Sequence, residues 1–159
     1  MQHEDVDQTD GRNESANERA DRNWEDILQE LRVTQTGTQI LTGFLLALAF
    51  QQRFTELTAG QLDLYLVLVA LAGLSTALGL APVILHRLFF RQRAKAHVVT
   101  VGNRLLLAEI VVVGLLTIGV TSFVFDFVVG DTAGITAGVV AAVVVITLWL
   151  VLPHLRRRD

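Results

Sequence analysis

The chain has 159 residues, 52% hydrophobic and 18% charged, with a mean hydropathy of +0.48. Soluble domains run to about 45–50% apolar and about 25% charged, and here the apolar residues gather in long runs of Leu, Val, Ala, Ile and Gly, which excludes an ordinary soluble globule and points to a membrane protein. The net charge of −3 conceals an uneven spread, with ten of the 16 acids in the first 30 residues and most bases beside apolar runs, which is not the basic face of a nucleic-acid binder.

No cysteine is present, so there is no disulfide framework, no Cys-ligated zinc and no thiol nucleophile. Residues 1–22 are acidic and polar, without the basic and apolar regions of a secretory signal. They hold too little apolar surface to offset the entropy of ordering, so a disordered acidic tail is expected, with partner binding as a further option.

An amphipathic helix is expected over 23–33. Asn23 can cap it, with Asp26 three residues on. Trp24, Ile27, Leu28 and Leu31 form one apolar stripe at helical spacing, and Glu25, Asp26, Glu30 and Arg32 take the other face. The stripe suits either the membrane surface or another part of the protein.

The first span is expected over about 34–50. Its strictly apolar part, 40–50, is too short to cross about 30 Å of hydrocarbon, so the polar stretch before it must be included. Thr34, Gln35, Thr38, Gln39 and Thr42 then share one face and should bond to other helices or line a cavity open to the cytoplasm. The second span is expected over 64–85, kinked or ended by Pro82. The third is expected over 105–127, with helix already present from about 94. A tight turn at 126–131 follows, and Asp131 can cap the fourth span, 132–152. Tyr65 and Trp149 lie near span ends, as interfacial aromatics do.

The bases set an orientation. The segments before the first span, between the second and third, and after the fourth hold 12 of the 13 bases, and Arg53 alone lies in the others. The positive-inside rule then puts both termini and the central loop in the cytoplasm of a cell whose plasma membrane holds the protein. The expected fold is an all-α, four-helix transmembrane bundle, with 23–159 forming one four-span membrane domain.

Three stretches are distinctive in wording: residues 29–41 around Leu31-Arg32-Val33-Thr34-Gln35-Thr36-Gly37, Ala81-Pro82-Val83 followed by His86-Arg87-Leu88-Phe89-Phe90-Arg91, and Asn103-Arg104 before the third span. Together they resemble an uncharacterised family of small prokaryotic four-span membrane proteins, a domain of unknown function. The resemblance covers roughly residues 26–152. It implies the topology and supplies no activity and no site residues.

Glu109 is the one carboxylate away from the ends of an expected span, Asp126 falling at the margin of the third, and ionisable groups there raise a functional hypothesis. It can pair with Arg104, reach the interface, or carry a proton or cation. Gln35, Gln39 and Glu109 lie at similar depth, with Asn103 and Arg104 near the cytoplasmic mouth, so these five make a candidate polar pocket. Gly130, Gly134, Gly138 and Ala142 form a small-residue ridge for close helix packing, within one chain or between chains. The basic central loop sets orientation and can hold anionic headgroups.

His86, His97 and His154 are scattered, so no metal site is expected. Phosphate loops, nucleophile elbows and zinc-protease motifs are missing, so neither an enzyme nor a cofactor is expected. Two functions remain. One is a non-enzymatic accessory or scaffold protein. The other is a small oligomeric transporter or proton-coupled carrier using Glu109 and the Gln/Thr face. The expected partners are membrane lipid, with a second copy or an unidentified membrane protein, and no nucleic acid.

Overall fold

The computed structural model describes residues 14–89 and 95–151. Outside the described residues lie positions 1–13 of the expected acidic tail, part of the basic central loop including Arg91 and Arg93, the last residue of the expected fourth span, His154 and the terminal arginines.

Among the described residues the chain is all α-helical. Helix α1 runs Ala16–Leu48, α2 Ala59–Phe89, α3 Lys95–Val129 and α4 Asp131–Ile146. A 3₁₀ turn at Gln52–Glu56 leads into α2, and a π turn at Thr147–Val151 continues α4. Three stretches are long and apolar enough to cross a membrane: Ala59–Leu88, Val98–Val129 and Asp131–Val151. The polar residues at 34–39 leave α1 with the shortest apolar run of the four helices.

Local chemistry moves several boundaries. The chain becomes helical at Ala16, so 16–22 is helix and Asn23 lies inside α1 instead of capping it. The cap is a box of Ser15 and Glu18. The Ser15 N–H donates to Glu18 Oε2 (2.8 Å), and the Glu18 N–H donates to Ser15 Oγ (3.4 Å). Arg22 then clamps Glu14 through two hydrogen bonds of 2.7 and 3.2 Å. No proline interrupts 16–48, so the expected amphipathic helix and the polar start of the first span are one element.

A second box opens α2 before the expected start at 64. The Thr58 N–H donates to Gln61 Oε1, and the Gln61 N–H donates to Thr58 Oγ1. Pro82 does not end α2, which continues to Phe89. Proline removes one intrahelical bond, and the Pro82 ring is fully buried. Helix α3 runs through 126–129, so the expected six-residue turn shrinks to Gly130, whose φ of 126° is open to glycine. Gly130, not Asp131, is the N-cap of α4, and Asp131 occupies the first turn.

The chain folds as two compact units. Among the described residues one comprises 14–36, 76–89 and 95–110, and the other 37–75 and 111–151.

In the first unit the apolar stripe of α1 is buried against protein. Trp24, Ile27 and Leu31 pack with Val98 and Leu106 of α3. The Trp24 ring stacks on His86 of α2, with centroids 5.4 Å apart. Its other neighbour is Gly102, where a Cβ would come within 2.6 Å of the indole.

In the second unit, Gly134 and Gly138 bring α4 onto α3. A Cβ at Gly134 would lie 2.5 Å from Asp126 Cβ, and one at Gly138 3.1 Å from Ser122. The Ser122 hydroxyl donates to the Gly134 carbonyl at 3.0 Å. The small ridge is therefore used within the chain at these two positions. Gly130 serves the turn, and Ala142 is half-buried.

Candidate functional site

From Leu106 onward buried positions of α3 recur every three or four residues, through Glu109, Val112, Leu116, Val120 and Phe123. An apolar side chain would suit every one of them. Glu109 occupies one and is 0% exposed.

Its partners come from α1. Gln35 Nε2–H donates to Glu109 Oε1 at 2.8 Å. Thr34 Oγ1 lies 3.3 Å from the same oxygen and 3.0 Å from the Leu31 carbonyl, so one hydroxyl proton is shared between two acceptors. Among the described residues Glu109 Oε2 has no hydrogen-bond partner. A buried polar atom left so costs about 1–3 kcal/mol, more if charged.

Gln35 reaches Glu109 because α2 presents Gly79 beneath it. A Cβ at Gly79 would overlap the Gln35 carboxamide. A glycine on one helix thus sets the position of a hydrogen bond between two others.

The pairing with Arg104 is not formed. Arg104 is exposed, and among the described residues Glu109 makes no ion pair. Five residues along a helix is a rotation of about 140° from the starting side, so the two side chains leave α3 in different directions. Of the five residues in the candidate pocket, Gln35 and Glu109 meet directly. Gln39 is exposed, about 100° around the helix from buried Thr38. Thr38 itself accepts a 3.4 Å hydrogen bond from Ser75 Oγ in the second unit. Asn103 lines a separate groove of about 390 Å³ with Asn23, Asp26, Glu30 and Thr100.

One feature escaped the residue patterns. In the second unit Phe54, Tyr65, Phe123 and Phe127 form a linked set of ring contacts, with centroids 5.0–6.2 Å apart. The Tyr65 hydroxyl donates to the Leu45 carbonyl at 3.1 Å. Arg53 lies 4.9 Å over the Phe127 ring and pairs with Glu56. Only Tyr65 stood out in the sequence. The signal was the run of Phe123, Phe125 and Phe127 at the end of the apolar stretch, opposite Arg53-Phe54.

Among the described residues no group of three or more metal-ligating side chains occurs. Neither a curated protein nor a solved structure matches the chain. Residues 13–153 match the profile of a family of unknown function, DUF6328, and the chain belongs to that family.

Proposed function

We propose that this chain is a non-enzymatic membrane protein of accessory or scaffold type. In this reading α1 is the first of four spans, and both termini and the central loop are cytoplasmic, as the base distribution requires. One observation carries the reading. The apolar stripe of α1 is consumed by Val98, Leu106 and His86, while Glu25, Asp26, Glu30 and Arg32 remain exposed along the same helix. A helix whose apolar face is anchored and whose charged face is free is a platform for another protein. The reading also places lipid around the apolar exteriors of α2, α3 and α4.

The test is cross-linking in the native membrane, affinity purification and mass analysis. A reproducible second protein, lost on charge reversal at Glu25, Asp26 and Glu30, supports the platform. A discrete homodimer with no other subunit overturns it.

The unpartnered Oε2 of Glu109 favours a second reading, a small carrier. Flux in liposomes should then vanish in Glu109→Gln while the fold is retained.

A further inference from the structure

Glu109, Gln35 and Thr34 form a cluster with an uneven hydrogen-bond pattern. Oε1 sits beside both donors from α1, and Oε2 is equally buried with none. Among the described residues no basic side chain completes the site. Among the described charged and titratable groups on the three contributing helices, Arg32 and Glu30 on α1, Arg87 on α2 and Arg104 on α3 are exposed. His86 on α2 stacks on Trp24.

The cluster is also built, not incidental. Gly79 makes room for the Gln35 carboxamide, and Leu106 on the preceding turn of α3 is buried. A carboxylate in such a place needs one positive charge to balance it. The groups around it among the described residues are a carboxylate, a hydroxyl and the Nε2–H of a carboxamide. That is a set that suits a proton or a hard cation and not a soft metal.

We infer that Glu109 Oε2, with Gln35 and Thr34 holding the carboxyl in place, is the binding position of one exchangeable monovalent cation, a proton or an alkali ion. This deepens the carrier reading of the same site, naming its ligand class, and binding does not itself require transport.

A membrane-permeant hydrophobic carbodiimide tests it on the full chain in native membranes. The reagent reacts with a protonated carboxyl, whose O–H adds across one C=N bond of the carbodiimide. The adduct is located by peptide mass on the segment holding Glu109, with Glu109→Gln as the blank. The labelled fraction is measured from about pH 5 to about pH 9, in choline, potassium and sodium media. An exchangeable proton gives labelling that falls by about tenfold per pH unit on the alkaline side, alike in all three media. An alkali ion gives, at fixed pH, suppression by sodium or potassium and not by choline.

Thr34→Val should move the profile along the pH axis. Absence of labelling at Glu109 throughout, or labelling indifferent to pH and cation, overturns the proposal. Labelling as expected without liposome flux keeps the binding site and removes the carrier.

Discussion

Gly79 shows how far a single residue's role depends on its neighbours. Its only chemical property is the lack of a side chain, and that space is filled by Gln35, which in turn donates to Glu109. Gly79→Ala should displace the carboxamide and break its 2.8 Å bond. Overpacking and the lost bond together should cost about 2–4 kcal/mol. Thermal unfolding in detergent would measure it, and Gly73→Ala, where a Cβ meets open space, is the matched control. Equal stability in the two variants would show that Gln35 does not need the notch. Glu109 itself was legible as an unusual residue, because a carboxylate in an apolar run is conspicuous. Its partner was not legible. Arg104 is near in sequence and opposite in charge, yet a five-residue step turns it away, whereas Gln35 is 74 positions distant.

At the scale of elements, the apolar runs announced their helices, but the expected caps Asn23 and Asp131 did not mark their ends. Both capping boxes, Ser15 with Glu18 and Thr58 with Gln61, follow the spacing of a hydroxyl residue and a Glu or Gln three positions on. The first was hidden by the acidic composition around it, which by itself suggests disorder. Ser15→Ala should destabilise the first turn of α1 by about 1 kcal/mol. Hydrogen exchange should then quicken at residues 16–19 by roughly fivefold, with residues 38–48 unaffected. Unchanged exchange in the first turn would mean that the Arg22–Glu14 pair, not the box, holds it. The C-terminal end of α3 teaches the opposite lesson. Gly130 resembles one more step of the small-residue ridge that continues through Gly134 and Gly138, but its φ of 126° makes it the turn itself.

For the whole molecule, exposed apolar side chains dominate α2, α3 and α4. Leu66, Val67, Val111, Ile135 and Val143 are each more than half exposed. Such continuous apolar surface belongs in lipid. The bases supply a direction for the spans, and the cysteine-free sequence makes it easy to test. Single cysteines at Glu25 and Glu56 occupy exposed positions on α1 and on the 3₁₀ turn. An impermeant maleimide applied to intact cells should label Glu56→Cys at once and Glu25→Cys only after permeabilisation. The reverse order would invert the topology. Labelling of both from outside would mean that α1 does not cross, so that the chain spans three times.

The sequence by itself determined that the chain is helical and that three of its stretches are long and apolar enough to cross a membrane, because both depend on runs of neighbouring residues measured against a fixed hydrocarbon thickness. It also determined that Glu109 is exceptional, since burial of a carboxylate is costly wherever it occurs. Only the tertiary structure decided that the Trp24–Ile27–Leu31 stripe covers α3, that Gly134 and Gly138 face Asp126 and Ser122, and that Gln35 and Thr34 hold Glu109. Those choices depend on which side each helix turns toward another far along the chain, and packing between distant residues, not the local pattern, sets that angle.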